Sequence, residues 1–242
     1  VEKTLVIIPT YNEKENIEAI IRKVFSLSLP FDLLIVDDNS PDGTAAIVQS
    51  MQQDFPKRLF LEQRQGKQGL GTAYIHGFKY AIRNAYSYIC EMDADFSHNP
   101  EDLLRLYQIL SQGNDIAVGS RYINGITVVN WPMDRLLMSY YGSKYVRFIT
   151  GMPVQDTTAG FIMYKRQVLE TIDFNLIKFT GYGFQIQMKF YAWKFGFKIK
   201  EVPIIFTDRT KGTSKMTSGI FKEAVFGVIS MKIKSWFQDF TR

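Results

Sequence analysis

Short apolar runs alternate with amphipathic stretches along the first half of the chain. Leu5-Val6-Ile7-Ile8 is a continuous aliphatic run stopped by Pro9, the pattern of a strand buried on both faces. Asn12 with Glu15 three positions on resembles a capping box, and Ile17, Ile20, Ile21, Val24 and Phe25 follow at helical spacing. A helix entered at Asn12, with one face on a sheet, is therefore expected. Leu33-Leu34-Ile35-Val36 reads as a second buried strand, and Asp37-Asp38-Asn39-Ser40-Pro41-Asp42-Gly43 as the polar turn after it. The same rhythm predicts a helix over 45–53, a strand over 59–61, a helix over 72–85 and a strand over 88–92. A helix over 100–110, with Pro100 in its first turn, and a strand over 116–118 complete this part.

Strand–helix alternation of this kind builds a mostly parallel sheet flanked by helices, an α/β fold. In such sheets ligands bind outside the carboxyl ends of the strands. Three polar clusters, 10–13, 37–42 and 93–99, each follow a strand and so gather at that edge. After Gly119 the rhythm changes to a long helix over 133–150, a strand over 161–164 and an aromatic-rich helix over 182–195. Residues 197–206 have strand character interrupted by Pro203, which suits an edge position. With no internal repeat or low-complexity linker, the chain reads as one domain over 1–217 followed by a helical segment over 218–242.

Composition changes this picture little. The 242 residues are 46% hydrophobic and 22% charged, ordinary for a globular domain. The formal net charge of +5 favours polyanionic partners: nucleotides, phosphorylated substrates or lipid headgroups. The basic–aromatic stripe of a nucleic-acid module is missing from the pattern, so nucleic acid is not the expected partner. Cys90, the single cysteine, reads as a small buried hydrophobe and fits a reducing cytoplasm. No run approaches the ~20 apolar residues that span a bilayer, and Val1-Glu2-Lys3-Thr4 is expected to lead straight into a strand, with no secretory n-region or h-region pattern.

Asp93-Ala94-Asp95 is the sharpest chemical feature. Carboxylates two apart just past a strand point to the same side and can hold a hard divalent cation through oxygen. A D-x-D triplet alone is common and also serves as turn chemistry before Pro100; its place after the fourth strand of the alternating pattern favours the metal reading. Asp38 stands where an acidic side chain accepts hydrogen bonds from a nucleoside, whereas Asp42 reads as a cap. The Gly66-Lys67-Gln68-Gly69-Leu70-Gly71-Thr72 loop resembles a phosphate cradle but lacks the P-loop spacing. Arg121 follows a strand at the active edge, and Arg135 with Ser139, at i and i+4, can grip one phosphate together. Arg209 to Lys215 reads as a basic loop able to close over a diphosphate. His76 and His98 have no metal-ligand spacing, and no Ser–His–Asp arrangement can be argued.

These motifs together resemble a known family. Val6-Ile7-Ile8-Pro9-Thr10-Tyr11-Asn12-Glu13, Val36 to Thr44 and Asp93-Ala94-Asp95 resemble family 2 glycosyltransferases of the GT-A fold. Gly66-Lys67 with Gly69 to Tyr74, Gly119-Ser120-Arg121-Tyr122, Asn130-Trp131-Pro132, and Asp208-Arg209 with Gly212, Ser214 and Lys215 narrow the likeness to polyprenol-phosphate (dolichol-phosphate) mannose synthases. The likeness runs from about residue 4 to 217. It implies that Pro9, Tyr11, Glu13 and Asp38 bind the guanosine part of GDP-mannose, with Lys67 and Ala94 on the same donor side. Asp93 and Asp95 would hold Mg²⁺ or Mn²⁺ on the diphosphate, with Ser97 nearby. Arg121, Arg135 and Ser139 would receive the phosphate of a polyprenyl acceptor, Arg209 and Lys215 would close over the donor, and Asp156 would lie near the mannose.

Two positions depart from the family pattern: Gln187 replaces a frequent acid in the F-Q-x-E segment, and Ala159 a frequent glycine. A lipid phosphate, already ionised near neutral pH, attacks without a general base, so losing the acid is tolerable. The segment from Ile220 to Phe237 places Phe221, Val225, Val228, Ile229, Ile233, Trp236 and Phe237 at helical spacing among lysines. It suits either a core-packed helix or one lying in the headgroup layer, at the cytoplasmic face of a membrane. Rival readings are a family 2 transferase with another donor, such as UDP-glucose, or acceptor, and a nucleotide-binding module without turnover.

Overall fold

Side chains along the first strand alternate between two cores. In Thr4–Thr10 (β1), Leu5 and Ile7 join one buried cluster while Val6 and Ile8 join another on the opposite face. Helices therefore have to cover both sides, as a strand with no polar face requires. The computed structural model describes residues 1–179, 181–209 and 219–241.

After β1 come Ile17–Phe25 (α1), Phe31–Asp37 (β2), Thr44–Met51 (α2), Leu59–Gln63 (β3), Leu70–Arg83 (α3), Tyr88–Glu91 (β4), Asp102–Ser111 (α4) and Ile116–Ser120 (β5). The second part holds Val128–Val129 (β6), Met133–Thr150 (α5), Ile162–Lys165 (β7), Arg166–Thr171 (α6), Tyr182–Lys194 (α7), Ile199–Pro203 (β8), Phe206–Thr207 (β9) and Gly219–Lys234 (α8). Seven strands form one sheet in the order β3-β2-β1-β4-β7-β5-β8. All pairs are parallel except those of β7, which runs antiparallel between β4 and β5. β8 lies at an edge, where Pro203 removes no needed hydrogen bond. β6 and β9 make a separate two-stranded ribbon.

The chain runs outward from β1 to β2 and β3, then returns to β4 on the other side of β1. Order reverses between β1 and β4, and that switch point is where a crevice opens at the strand ends. Residues 93–99 follow β4 directly into this crevice. Cys90 is fully buried in β4, as its small apolar character suggested.

One expectation fails at α1. The helix begins at Ile17, not at Asn12, and the preceding Asn16 makes no side-chain cap. Asn12 instead adopts φ +57° and its amide donates to Ser40 Oγ at 3.0 Å. The adjacent Glu13 amide donates to Thr44 Oγ1, also at 3.0 Å. Bonds between the turns after β1 and β2 thus override the local capping pattern, and they hold both turns at the crevice. α8 packs one face into the core, where Val228 and Met231 are buried, and leaves Phe226, Ile229 and Ile233 exposed on another.

Candidate active site

At the end of β4 the chain must leave a buried strand with two acids, and the turn there is tightly made. Phe96 takes φ +61°, and Asp95 Oδ1 accepts from the Ser97 amide at 3.1 Å and from Ser97 Oγ at 2.6 Å. The Asp93 amide donates to His98 Nδ1 at 3.2 Å, and the His98 ring stacks on Phe161. Burial lowers the His98 pKa, which suits its neutral, acceptor role. Loss of solvent and the neighbouring Asp95 lift Asp93 above its ordinary value, against the pull of His98 and Arg209. The other Asp95 oxygen, Oδ2, is bridged by Arg209 Nη2 at 2.9 Å. Ser97 therefore orients Asp95 by hydrogen bonding, and Ala94 is buried between the acids.

The paired carboxylates fit a hard divalent cation. No group of three or more His, Cys, Asp or Glu placed to hold a metal ion occurs among the described residues, so oxygens from a bound diphosphate would have to complete the shell. Arg209 on Asp95 marks the position as one that takes positive charge.

A cavity of about 830 Å³ runs from these acids across the crevice. Its walls carry Asp93, Asp95 and Ser97 with Arg121, Arg135, Ser139 and Arg209. Arg121 is buried and held by Asp156, which accepts from its Nε at 2.7 Å, its Nη2 at 2.6 Å and its amide at 2.9 Å. Burial pushes the Asp156 carboxyl up, but the Arg121 charge and these bonds outweigh it and hold the group below its ordinary value. Asp156 is fully buried behind Arg121 and is not among the cavity-lining residues, so it acts on the cavity through Arg121. Its own amide is anchored on Glu201 of β8 at 2.9 Å.

Arg135 rises from the first turn of α5. Its Nη1 contacts both Asp208 oxygens, at 3.0 and 3.1 Å, and its guanidinium lies 4.2 Å from the Trp131 ring centroid. The Arg121 guanidinium lies 5.3 Å from the same ring. Ser139, one turn on, accepts from Tyr122 OH at 2.7 Å. The Arg135 Nε and Trp131 Nε1 donors are buried without a protein partner. Buried donors of that kind cost about 1–3 kcal/mol unless something accepts from them.

On the donor side, Pro9 lies within β1, paired with Val36 one residue before the strand's end at Thr10, and Tyr11 and Glu13 follow in the tied turn. Lys67 is exposed and reaches over the Tyr11 ring at 5.4 Å. Asp38 Oδ1 is gripped by Arg64, with Nε at 2.6 Å and Nη2 at 2.5 Å. Arg64 Nη1 also donates to Thr72 Oγ1 at 2.8 Å, tying the glycine-rich loop to the Asp38 turn. Lys215 lies outside the described residues.

The sequence reading missed Arg64, Asp208's role and the cavity floor. Tyr74 and Gln185 line the floor, and Gln185 Nε2 donates to the buried Glu91. The Tyr74 hydroxyl, Gln185 Oε1 and Glu91 Oε1 are buried without partners. Burial lifts the Glu91 carboxyl to about 8 and depresses the nearby Lys189 to about 8. A fully polar residue beside aromatics in Gly183-Phe184-Gln185 was the available signal for the floor. Gln187 faces away: its amide closes the 176–179 turn, accepting from the Lys178 amide at 2.9 Å and donating to Leu176 O at 2.9 Å.

Comparison with known proteins agrees with this geometry. The model for "Glycosyl transferase family 2" matches residues 5–173. A polyprenol monophosphomannose synthase of Mycolicibacterium smegmatis is 45% identical over 96% of this chain and 88% of its own. An undecaprenyl-phosphate mannosyltransferase of Micrococcus luteus is 41% identical over 93% of this chain and 92% of its own. Among solved structures, glucosyl-3-phosphoglycerate synthase of Mycobacterium tuberculosis, in complex with Mn²⁺, UDP-glucose and phosphoglyceric acid, superposes with a TM-score of 0.70. At 14% identity over 96% of this chain and 80% of that one, it establishes the shared GT-A fold. An acid pair at the switch point, basic side chains across the cavity and these likenesses have one reading: this chain belongs to glycosyl transferase family 2.

Proposed function

We propose that this glycosyltransferase moves mannose from GDP-mannose to the phosphate of a polyprenol, with inversion at the sugar's C1. The observation that carries the reading is one cavity with a carboxylate pair at Asp93 and Asp95 and a second, cationic wall at Arg121 and Arg135. The acid pair suits a cation-bound diphosphate, and the basic wall suits a second phosphate. The mannosyl group and the lipid acceptor are those by which the two relatives are named.

In the reaction, a phosphate oxygen of the acceptor bonds to C1 of the mannose as the bond from C1 to the diphosphate breaks, releasing GDP. Asp93 and Asp95 would hold Mg²⁺ or Mn²⁺, which would neutralise charge on the leaving diphosphate. Arg121, fixed by Asp156, and Arg135, fixed against Trp131, would orient the attacking phosphate. Ser139 would add a hydroxyl donor beside them. Of the carboxylates lining the cavity, Asp95 is bonded to Ser97 and Arg209, and Asp208 to Arg135. A nucleophile already ionised at neutral pH, needing no base, matches that wall. The orphaned floor atoms of Tyr74 and Gln185 suit hexose hydroxyls, which both donate and accept.

A membrane surface follows as the workplace, at the cytoplasmic face where the nucleotide sugar is met. No helix among the described residues is long and apolar enough to cross a bilayer. Met138 and Tyr141 of α5 are both exposed and cavity-lining, so the cavity opens beside an apolar helix face.

Radiolabelled mannose transfer into organic-extractable lipid tests the reading, using polyprenyl phosphate in detergent with Mg²⁺ or Mn²⁺, an EDTA control and UDP-glucose as rival donor. Label from GDP-mannose that vanishes with EDTA is the expected result. Label from UDP-glucose alone would replace the donor, and no label from either would return the site to another acceptor.

A further inference from the structure

Asp208 and Arg209 are adjacent, yet their side chains point to opposite halves of the cavity. Asp208 accepts from Arg135 on the basic wall, and Arg209 bridges Asp95 in the acid pair. A carboxylate thus stands on the guanidinium proposed for an acceptor phosphate, and a guanidinium stands on the carboxylate proposed for a cation. The two are mechanically joined. Asp208 Oδ1 lies 3.0 Å from Arg135 Nη1 and also accepts the Arg209 amide at 3.1 Å. Behind them the backbone is pinned, because the Asp208 amide donates to Val129 O of β6 at 3.0 Å. A displacement of Arg209 that carries its backbone along pivots at Asp208 and disturbs the amide bond to the carboxylate that faces Arg135.

We propose that the Asp208–Arg209 pair is an internal stand-in for the two substrates' charges, so that filling the donor side opens the acceptor side. A cation-bound nucleoside diphosphate on Asp93 and Asp95 displaces Arg209 from Asp95 Oδ2. Arg209 then turns to the diphosphate, its amide leaves Asp208 Oδ1, and the Asp208 carboxylate is drawn off Arg135. Arg135 stays where it is, because the Trp131 ring supports it at 4.2 Å, and its charge becomes available to a phosphate. Asp208 is on this account a positioning residue that sets the order of binding, donor before acceptor. The inference rests on the phosphate-acceptor reading above and adds to it a coupling between the two subsites.

Coupling of this kind is reciprocal and measurable at equilibrium without turnover. The probe is a short, water-soluble prenyl phosphate, titrated calorimetrically into the whole protein with and without GDP and Mg²⁺. Expected is an affinity roughly tenfold higher with GDP and Mg²⁺, a typical coupling of about 1.4 kcal/mol. Asp208→Asn, isosteric and uncharged, should bind the probe without nucleotide about as tightly as the parent binds it with nucleotide. Arg209→Gln should raise the affinity of the nucleotide-free protein for Mn²⁺, read by the loss of free-ion electron paramagnetic resonance signal. A melting curve for each variant confirms that it is folded. Equal probe affinity with and without nucleotide in the parent, or coupling retained in Asp208→Asn, overturns the proposal and leaves the acceptor reading intact. A parent that binds the probe in neither condition overturns the acceptor reading and the coupling with it.

Discussion

At the scale of single residues, the Arg121–Asp156 pair shows how a charge is kept in a buried wall. Asp156 is inaccessible and Arg121 is 7% exposed, so neither group is solvated enough to stand alone. Three hydrogen bonds from Arg121 and the Glu201 anchor on the Asp156 amide compensate the lost water. Removing one partner strands the other charge, which in buried pairs costs about 3–5 kcal/mol. Asp156→Asn should lose stability of that order in urea denaturation at pH 7. The loss has a pH signature. Asp156 is held below its ordinary value, so the unfolded chain binds more protons in the acid range and the pair stabilises fully only above about pH 4. The gap between parent and variant should hold steady from pH 8 to about 5 and shrink as the pH falls through the folded value. A gap that widens toward acid would mean that Asp156 is not the ionised partner. Family motifs located both residues from sequence, but only the fold reveals that one lies behind the other. Position behind a neighbour is a property of packing between residues 35 apart, and no local pattern encodes it.

Elements were legible in proportion to how local their causes are. Every strand and helix bordering the crevice in the first half was readable from apolar runs and helical spacing, and the long α5 over 133–150 was placed with the same bounds. The entry to α1 was not, because Ser40 and Thr44 compete for the backbone of residues 12 and 13. The antiparallel β7 was readable as a strand, but not in direction, which depends on a partner choice between β4 and β5. Close contact between elements is equally hidden. A Cβ placed on Gly77 of α3 would meet Ile7 Cγ2 at 2.7 Å and Cδ1 at 2.8 Å, so α3 rests on β1 through a residue without a side chain. Ile7 is completely buried and has nowhere to move. Helix propensity alone makes Gly→Ala favourable by about 1 kcal/mol in a helix interior. Overpacking costs about 1–3 kcal/mol and should win here. Gly77→Ala is expected to destabilise the protein in thermal melts. A rise in melting temperature would show that the α3–β1 contact is looser than this.

For the whole molecule, the question is how a fold with no spanning helix among its described residues meets a lipid substrate. α5 and α8 pack beside each other, joined by Lys232 Nζ donating to Thr150 O at 2.9 Å. Each carries an exposed apolar stripe: Leu137, Tyr141 and Phe148 on α5, and Phe226, Ile229 and Ile233 on α8. Phe148 and Phe237 are 87% and 84% exposed, which a protein surrounded only by water gains nothing from. The exposed Lys144 lies within the first stripe, and the exposed Lys234 beside the second. Apolar side chains flanked by lysines are the surface that seats in a headgroup layer and is drawn to anionic lipid. Sequence spacing alone left core packing and lipid contact as alternatives for the C-terminal helix; a single helix with Val228 and Met231 inward and Phe226 outward accommodates both. Because the α5 stripe also borders the cavity mouth, docking by this surface would deliver a lipid phosphate to Arg135 while its prenyl tail stays among other lipids. The expected outcome is sedimentation with vesicles containing anionic phospholipid, weakened by salt through screening of the lysines. Replacing Phe148, Trp236 and Phe237 together by serine should lower vesicle binding by an order of magnitude or more, at about 1.5–3 kcal/mol per large apolar side chain withdrawn from lipid. The same variant should transfer mannose to a short, water-soluble prenyl phosphate at the parent's rate, because none of the three residues lines the cavity. Equal losses on vesicles and on the soluble acceptor would instead mean that the stripes support the fold, and the membrane assignment would have to be abandoned.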